Sequence, residues 1–404
     1  MPDLLVEQFD QLRTTKQDAE SYIPDTVDAI LKSARSAGAT DVHLTPTADS
    51  LSMHWRIDGV LHSVALFSDA DASRIVARLK VLAGLLTYRN DIPQEGRIPG
   101  QHETRLSTLP TLFGEKAVVR LFAKAGTYEW LEQLGLPRSI ESQIRPLLEQ
   151  TSGVILFAGP AGSGKTTTIY SCMREIAAAT NGARSLVSVE DPVEVVVPGV
   201  AQSQINEAAE FDLATAIRAM MRQDPEVIMV GEIRDRSTAD AVFQAALTGH
   251  LVLTTFHASD AIGAVSRLLD MNSEPYLLRS AVRAVVSQRL LRKLCSCRSE
   301  RAVEDADKLA GEFERLYEPL GCDQCNGTGY LGRFPVAEIV SPNNTEAGQA
   351  ILKRAATSEL REIATANGMV SQFSRAISAV RDGETSLSEV YRVFGRHDEG
   401  AADD

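Results

Sequence analysis

Residues 159–166 read Gly159-Pro160-Ala161-Gly162-Ser163-Gly164-Lys165-Thr166. This octapeptide fits G-x-x-x-x-G-K-[ST], the template of a phosphate-binding loop. We include Thr167, the next residue, in the predicted binding segment. The glycines of such a loop allow a tight turn whose backbone N–H groups point at a polyphosphate. Lys165 is then expected to contact the β- and γ-phosphates, and the hydroxyl of Thr166 to bind Mg²⁺. The sequence therefore predicts a binding site for a nucleoside triphosphate.

The residues on both sides of this loop have the pattern of a buried strand and an amphipathic helix. The apolar run 154–157 precedes the loop, as expected of a parallel strand. After the loop, apolar side chains recur with helical spacing at Ile169, Cys172, Met173 and Ile176. The N-terminus of this helix would lie beneath the phosphates, where the helix dipole favours negative charge. This context favours a true phosphate loop over a glycine-rich turn that matches by chance.

The order of strand, turn and helix repeats beyond the loop. Apolar runs typical of strands occur at 154–157, 185–189, 226–230 and 250–254. Helical patterns separate them, so the sequence predicts an α/β fold with an open, mostly parallel sheet. Sheets of this kind bind ligands at the carboxyl ends of their strands. Candidate site residues are therefore expected where these runs end.

The composition is that of a globular protein with more than one domain. The chain has 404 residues, of which 44% are hydrophobic and 24% charged. Its formal net charge of −13 argues against a general nucleic-acid-binding protein. No apolar run approaches the roughly 20 residues that span a bilayer, and the acidic N-terminus lacks the pattern of a signal peptide. We therefore predict a cytoplasmic protein with no transmembrane segment, in which disulfides are not expected.

Changes of pattern along the chain predict several segments. Two helical patterns and short alternating runs, one of which ends in a predicted turn at Asp58-Gly59, indicate a small α+β domain before the phosphate-binding core. The C-terminal part has helical patterns and ends with acidic residues. Thr385-Ser386-Leu387 is predicted to cap the N-terminus of the last helix. The predicted boundaries are 1–25 for an N-terminal tail, 26–125 for the small domain, 126–150 for a linker and helix, 151–290 for the core, 291–340 for a tetracysteine segment, 341–395 for a helical region and 396–404 for an acidic tail.

Acidic and polar residues follow the predicted strands of the core. Glu190 and Asp191 follow the second strand, where carboxylates can hold a Mg²⁺-bound water or orient an attacking water. Glu232 follows the third strand, and Gly231 stands where such a strand usually ends in a metal-binding aspartate. After the fourth strand, His257 could form a hydrogen bond with the γ-phosphate. A solvated acidic turn and a structural histidine are the alternatives, and the sequence does not decide which glutamate activates water.

Four of the five cysteines lie close together in the sequence, between residues 295 and 325. Cys295 and Cys297 form a C-x-C pair, and Cys322 and Cys325 form a C-x-x-C pair. Four thiolates suit tetrahedral Zn²⁺, although the first pair is one residue shorter than the usual spacing. Because no ligand position would be left for water, the predicted zinc is structural. Reduced free thiols are the alternative.

Taken together, these features resemble the secretion-superfamily ATPases of type II secretion, type IV pilus assembly and DNA-uptake machines. The similarity covers about residues 26–395 and includes several motifs in the family's order. These motifs are the phosphate loop at 159–167, the Asp box at 189–194, the atypical Walker B region at 222–235, the His box at 248–258, and the tetracysteine segment, which Gln288-Arg289-Leu290 precedes. In this family, glycine is the usual residue at the place of Gly231.

The resemblance implies a RecA-like P-loop ATPase core with a small PAS-like N-terminal domain, a tetracysteine insert and a C-terminal helical region. It also implies a homohexamer that uses ATP and Mg²⁺ to assemble a pilus or pseudopilus. The implied partner is an inner-membrane platform protein, which would hold the ATPase at the inner face of the cytoplasmic membrane. In the family, arginines of the small domain approach the phosphates, and the candidates here are Arg97, Arg105 and Arg120. Their guanidinium groups would neutralise charge on the transferred phosphoryl group.

Other interpretations remain open from the sequence. Only about 25 residues precede the matching region, whereas assembly ATPases usually carry a further N-terminal docking domain. Retraction ATPases share the short N-terminus but normally lack the cysteines, so a retraction-type ATPase is one alternative. A nucleotide-regulated scaffold that does not hydrolyse ATP is a second. A nucleic-acid motor is a third, and the acidic balance of the chain opposes it. The sequence does not identify which machine the protein serves.

Overall fold

The computed structural model describes residues 20–100, 104–121, 128–305, 307–343 and 345–396. The chain forms two compact units that divide between residues 125 and 126. Most of the predicted N-terminal tail and nearly all of the predicted acidic tail lie outside the described residues. In the part of the chain that is described, no helix combines the length and the apolar character needed to span a membrane.

The first unit is a small α+β fold built on a six-stranded antiparallel sheet. The strands lie in the order β3-β2-β1-β6-β5-β4. Helices α1 (Tyr22–Ser36) and α2 (Asp69–Leu82) supply apolar side chains to the core of this unit. The strands are β1 (Asp41–Pro46), β2 (Ser50–Ile57), β3 (Val60–Ser68), β4 (Gln94–Ile98), β5 (Thr104–Thr111) and β6 (Gly114–Leu121). The predicted small α+β domain is therefore present.

The predicted turn at Asp58 and Gly59 joins β2 to β3. Both residues have positive φ angles, 48° at Asp58 and 82° at Gly59. A two-residue hairpin loop of this conformation suits Asp-Gly, because its twist matches the twist of the paired strands. Along β2, buried side chains alternate with partly exposed ones, as expected of a strand with one face on a core.

The second unit is built on a seven-stranded sheet in the order β15-β12-β7-β11-β10-β8-β9. Neighbouring strands are parallel except at β15, which pairs antiparallel with β12. The α/β prediction of a mostly parallel sheet is confirmed. The strands are β7 (Gly153–Ala158), β8 (Leu186–Glu190), β9 (Val200–Gln204), β10 (Val227–Val230), β11 (Leu251–Phe256), β12 (Val282–Leu294) and β15 (Tyr330–Val340), with a separate short hairpin of β13 (Ser299–Arg301) and β14 (Leu316–Glu318).

Helices cover both faces of this sheet. Along β7, Val154 and Leu156 belong to one apolar cluster, and Ile155 and Phe157 belong to another. Because successive side chains of a strand point to opposite faces, a central parallel strand needs such a continuous apolar run. The helices of this unit are α3 (Arg138–Leu148), α4 (Lys165–Ala179), α5 (Leu213–Met220), α6 (Arg236–Leu247), α7 (Ala261–Asp270), α8 (Pro275–Ala281), α9 (Thr345–Leu352), α10 (Thr357–Ala366), α11 (Gln372–Arg381) and α12 (Leu387–Phe394).

Short polar side chains begin several of these helices. Asp235 accepts a hydrogen bond from the backbone N–H of Thr238 at the start of α6, at 2.8 Å. Ser386, predicted as the N-cap of the last helix, accepts one from the backbone N–H of Glu389 at 3.1 Å. Such caps satisfy N–H groups that have no partner inside the helix. They fix where each helix starts, and so they also fix the loop that precedes it.

The sheet extends further than the sequence indicated. We expected residues 290–335, which contain the cysteines, to interrupt the pattern of strands and helices, but β12 continues to Leu294 and β15 covers Tyr330–Val340. Both strands belong to the main sheet, and the cysteines lie in the excursion between them. Helix α8 passes into β12 without a glycine or proline to mark the change. The pairing of β12 with β15 also joins residues far apart in the sequence, which a local pattern does not reveal.

Candidate functional site

The phosphate loop connects the end of β7 at Ala158 to the start of α4 at Lys165. Gly164 immediately before the helix has φ +89°, a left-handed conformation that favours glycine. The Nζ atom of Lys165 donates hydrogen bonds to the backbone oxygens of Gly159 and Pro160, each at 2.9 Å. Burial lowers the pKa of Lys165, and the charge of Glu232 opposes this effect. The loop therefore holds its cation close to its own backbone.

A cavity of about 210 Å³ lies at the carboxyl ends of the central strands, beside this loop. It is the place at which parallel sheets bind ligands. The structure thus brings loop residues together with both candidate glutamates and the candidate histidine, which are far apart in the sequence. The predicted site residues that line the cavity are Ala161, Gly162, Lys165, Thr166, Glu190, Glu232 and His257.

The sequence pattern placed Glu190 after the second strand, but it is the last residue of β8. It is buried, with 2% of its surface exposed. Its Oε1 accepts hydrogen bonds from the hydroxyl of Ser188 at 2.6 Å and from Nε2 of Gln202 at 2.9 Å. Its Oε2 accepts a hydrogen bond from the hydroxyl of Tyr170. Hydrogen bonds of this kind satisfy a buried carboxylate without a cation. Glu190 is therefore held in one orientation by neutral side chains.

Tyr170 is a site residue that the sequence analysis did not identify. It lies on α4, and its hydroxyl both donates to Glu190 and accepts a hydrogen bond from the backbone N–H of Glu194 at 3.2 Å. Burial and then the hydrogen bond to Glu190 raise the pKa of Tyr170, so the phenol keeps its proton. Tyr170 lies one position after Ile169 in the helical pattern, and nothing in that pattern marks it as a partner of a strand end.

Glu232 has a different environment from Glu190. Its side chain is 22% exposed, its Oε2 lies 3.2 Å from Nε2 of His257, and its Oε1 accepts a hydrogen bond from Arg234. Arg234 also pairs with Oδ2 of Asp191 at 3.1 Å. Ionised and ionisable groups therefore surround Glu232, whereas neutral donors surround Glu190. Of the two glutamates, Glu232 is the one that water can reach.

His257 follows β11 and has a side chain that is 47% exposed. The backbone around it is fixed, because Arg267 donates a hydrogen bond to the carbonyl oxygen of His257 at 2.7 Å. Earlier in β11, the hydroxyl of Thr255 donates to the carbonyl oxygen of Gly231 at 2.7 Å. This bond joins the ends of β10 and β11. It holds the residues that carry Glu232 and His257 next to each other.

The three candidate arginines of the first unit are cross-strand neighbours. Arg97 pairs with Arg105 between β4 and β5, and Arg105 pairs with Arg120 between β5 and β6. The row continues through Asp41 to Arg56, which the sequence analysis did not identify. Directly opposed residues in an antiparallel sheet share a face. We call Arg56, Arg97, Arg105 and Arg120 the arginine row.

Two acidic side chains, Asp41 and Glu95, partly balance the arginine row. The Oε1 atom of Glu95 lies 3.7 Å from Nη1 of Arg105. The Oδ1 atom of Asp41 accepts a hydrogen bond from Nε of Arg120 at 3.0 Å, and Oδ2 lies 3.7 Å from Nε of Arg56. Leu106 and Val119, which are adjacent in sequence to two of the arginines, are buried on the opposite face of the sheet. Like charges on directly opposed residues repel each other. Asp41 and Glu95 reduce that repulsion.

The four cysteines of the tetracysteine segment converge in space. Their sulfur atoms all lie within 4.8 Å of one another. The Sγ atom of Cys322 lies 3.8 Å from that of Cys295 and 3.7 Å from that of Cys325, and Cys297 lies 3.8 Å from Cys325. A tetrahedral zinc site with Zn–S bonds of about 2.3 Å requires S···S separations of roughly 3.8 Å. The sulfur positions therefore fit zinc, and the short C-x-C spacing does not prevent it.

Backbone donors also favour thiolate at this cluster. The N–H groups of Cys322 and Gly329 each donate to Sγ of Cys325 at 3.1 Å. Burial raises the pKa of the Cys325 thiol, but these donors outweigh it and bring the pKa to about 6. Zinc binds the thiolate form of cysteine, and N–H···S hydrogen bonds orient such ligands. All four cysteines are free of disulfides.

Comparison with known proteins is consistent with this geometry. The sequence matches the family described as "Type II/IV secretion system protein" over residues 16–392. The chain is 39% identical over 391 residues to the type IV pilus assembly ATPase TfpB of Acinetobacter baylyi. The alignment covers 93% of this chain and 66% of that protein. It is 38% identical over 387 residues to type II secretion system protein E of Aeromonas hydrophila. That alignment covers 93% of this chain and 76% of the relative.

Solved structures agree on the fold. The X-ray structure of the ATPase DotB from Legionella pneumophila superposes with a TM-score of 0.65 at 19% sequence identity. The superposition covers 92% of this chain and 95% of that chain. The present chain spans about two thirds to three quarters of the length of the two relatives compared above. Its similarity to them extends through both units.

Proposed function

The chain belongs to the family of type II/IV secretion system proteins, and on this basis we propose that it is an ATPase motor that powers assembly of a type IV pilus or a type II secretion pseudopilus. One observation carries the enzymatic part of the proposal. Glu232 and His257 lie beside Lys165 and Thr166 in one cavity at the carboxyl edge of the sheet. A cation for the phosphates and a water-accessible carboxylate are the groups that phosphoryl transfer to water requires.

The environments of the two glutamates support different roles. Glu232 reaches solvent and contacts an imidazole, so we assign to it the activation of the attacking water. Glu190 is fully engaged by neutral donors, so we assign to it the orientation of Tyr170 and of the strand end. Thr166 would bind the Mg²⁺ that accompanies the nucleotide, and this ion would neutralise charge on the phosphates.

The arginine row is the proposed second source of positive charge. Hydrolysis concentrates negative charge on the oxygens of the γ-phosphate, and guanidinium groups stabilise it well because their charge persists at any physiological pH. Arg97, Arg105 and Arg120 share one face of the sheet, where Glu95 pairs with Arg105 and Asp41 pairs with Arg120. Guanidinium groups bind phosphate oxygens well, which supports a role for this face in phosphate binding. Residues that bind phosphate in this way would link nucleotide state to the position of the small domain.

The partners of this motor are proposed from the family. A ring of six copies would act on an inner-membrane platform protein, at the inner face of the cytoplasmic membrane. The tetracysteine cluster would hold one structural Zn²⁺ and connect β12 to β15, and it would supply no catalytic group. Sedimentation of the purified protein with nucleotide tests the ring, since a hexamer has about six times the 43.8 kDa chain mass.

Phosphate release from Mg²⁺-ATP by the purified full chain tests the enzymatic proposal directly. We expect steady release that depends on protein concentration, and no release by Lys165→Ala, which loses the cation of the loop. A chain that binds a fluorescent ATP analogue but releases no phosphate would be a nucleotide-regulated scaffold and would contradict the proposal. In cells, replacing the gene by a Glu232→Gln copy should abolish pilus assembly or secretion.

A further inference from the structure

Gln288 on β12 contacts the phosphate loop, although it does not line the nucleotide cavity. It is 1% exposed. Its Nε2 atom donates a hydrogen bond to the backbone oxygen of Ser163 at 2.8 Å, and its Oε1 atom accepts one from the hydroxyl of Thr168 at 3.0 Å. One buried amide thus joins the loop to the first turn of α4. Both ends of the amide are satisfied, as a polar group in this position requires.

The hydrogen bond to Ser163 fixes the orientation of a peptide unit in the loop. Peptide units are planar and trans, so their C=O and N–H groups point in opposite directions. The carbonyl of Ser163 and the N–H of Gly164 belong to the same unit. Because the carbonyl points at Gln288, the N–H of Gly164 must point away from it. Backbone N–H groups in loops of this sequence are the donors that hold the phosphates.

Close packing shows that the loop rests directly on this part of β12. A Cβ atom on Gly164 would lie 3.0 Å from Nε2 of Gln288, and one on Gly159 would lie 2.5 Å from the backbone oxygen of Gln288. The loop approaches β12 near both of its ends, and the glycines make this approach possible. A shorter or differently shaped side chain at position 288 would lose these contacts with the loop.

We propose that Gln288 is a positioning residue that sets the orientation of the Ser163–Gly164 peptide and thereby the affinity of the loop for nucleotide phosphates. It touches neither substrate nor metal and acts through the loop backbone. The effect should be similar for ATP and ADP, because both carry the phosphates that the loop contacts. An interaction that contributes equally to the ground state and the transition state changes KM and leaves kcat nearly constant.

Two substitutions of similar size test the proposal. Gln288→Glu keeps the acceptor for the hydroxyl of Thr168 but replaces the amide that donates to Ser163, and Gln288→Met removes both hydrogen bonds. The matched control is Gln372→Met. Gln372 is also a buried glutamine, 2% exposed, and its Nε2 donates at 2.6 Å to the hydroxyl of Ser287, next to Gln288 on β12. It makes no contact with the phosphate loop among the described hydrogen bonds.

We expect Kd for fluorescent ATP and ADP analogues, and KM for ATP, to rise about tenfold in Gln288→Met, which corresponds to 1.4 kcal/mol. The rise should be at least as large in Gln288→Glu, because its carboxylate repels the carbonyl oxygen of Ser163, and kcat should change less than threefold in both. Gln372→Met should lower the melting temperature and leave Kd unchanged. Unchanged Kd in both Gln288 variants, or an equal rise in Gln372→Met, would overturn the proposal.

The role of Gln288 rests on the proposed nucleotide site, but different experimental results would contradict the role of Gln288 and the proposed ATPase activity. If the wild-type protein binds nucleotide and releases no phosphate, the proposed ATPase activity is wrong, and the comparison of Kd values still tests Gln288. If the wild-type protein hydrolyses ATP and the Gln288 variants have wild-type Kd and KM, the ATPase assignment stands and the role of Gln288 is excluded.

Discussion

The Nε2 atom of His257 lies 3.2 Å from Oε2 of Glu232, at the ends of two neighbouring parallel strands. Glu190 ends the strand on the other side of β10 and has no charged partner among its described hydrogen bonds. Both glutamates thus stand at the carboxyl ends of neighbouring strands, but their electrostatic environments differ. A base that activates water must be reachable by that water, which favours Glu232.

The first prediction concerns the substitution Glu232→Gln. It should reduce kcat at least about 100-fold, because the amide cannot accept a proton, while Kd for ATP changes less than about threefold. Glu226→Gln is the matched control, since Glu226 immediately precedes the strand that Glu232 follows and pairs only with Arg184, at 3.4 Å, among the described residues. Phosphate release and binding of a fluorescent analogue measure both quantities. Turnover that survives in Glu232→Gln would transfer the role of base to another residue.

The second prediction concerns Tyr170→Phe, which removes the phenol that holds Glu190. Two polar groups lose a partner, the carboxylate of Glu190 and the N–H of Glu194. A buried group that loses its hydrogen bond costs about 1–3 kcal/mol. We therefore expect a lower melting temperature together with reduced kcat. Tyr276→Phe is the control, because Tyr276 is 58% exposed in the same unit. If both variants melt and turn over alike, the contact with Glu190 has no role.

Much of the core was predictable from the sequence because its information is local. The phosphate loop has a fixed template, and central parallel strands need continuous apolar runs, so four strands were found close to their observed bounds. The turn at Asp58 and Gly59 and the cap at Ser386 were found for the same reason. Each feature depends on a few adjacent residues.

The features that the sequence did not predict depend on pairing between distant segments. The contact of Tyr170 with Glu190 requires that α4 pack beside β8, and the arginine row requires the register of five strands. Strands β12 and β15 were missed because their partners are each other and β7. The hydrophobic periodicity of a short sequence window does not indicate such pairings, because they depend on which apolar faces can be buried together.

The third prediction concerns the arginine row. Replacing Arg105 or Arg120 by alanine should lower kcat about 100-fold or more and change Kd for ATP much less, if these groups neutralise charge that develops during phosphoryl transfer. Arg74→Ala is the control, because Arg74 is an exposed arginine of the same unit that pairs with Asp71 at 3.7 Å. The same two assays apply. A kcat equal to that of Arg74→Ala in both variants would remove the row from the mechanism.

The fourth prediction concerns zinc. Metal analysis of the purified protein should find about one zinc per chain, and Cys322→Ser should lose it, because a hydroxyl is a poor zinc ligand. The melting temperature should fall by about 5 °C or more, since 1 kcal/mol shifts it by about 2–4 °C in a domain of this size. Cys172→Ala is the control: Cys172 is buried on α4, apart from the cluster, and its replacement should leave the zinc content unchanged. A wild-type protein without zinc after purification in the absence of chelators would favour free thiols.

The last prediction concerns pH and Glu389 on α12. Both arginines that contact this buried carboxylate, Arg292 and Arg392, donate side-chain hydrogen bonds to it at 2.7–2.9 Å. Burial would raise the pKa of Glu389, but hydrogen bonds from Arg392 and Arg292 outweigh it and hold the pKa below its usual value. A carboxyl whose pKa is lower in the folded state stabilises the fold above its unfolded pKa of about 4.3, and this stability is lost as the pH falls through the folded value.

Replacing this carboxylate tests the sign of the effect. Glu389→Gln should cost about 3 kcal/mol at pH 7, because it leaves two partly buried guanidinium groups without their anion. The difference from wild type should shrink as the pH falls below about 4, because Glu389 in the unfolded wild-type chain then binds a proton while the folded carboxylate still keeps its charge. Urea unfolding at a series of pH values measures this difference, with Glu362→Gln as the control, since Glu362 is exposed on α10. A difference that stays constant down to pH 3 would show that Glu389 stabilises the fold by packing and not by its charge.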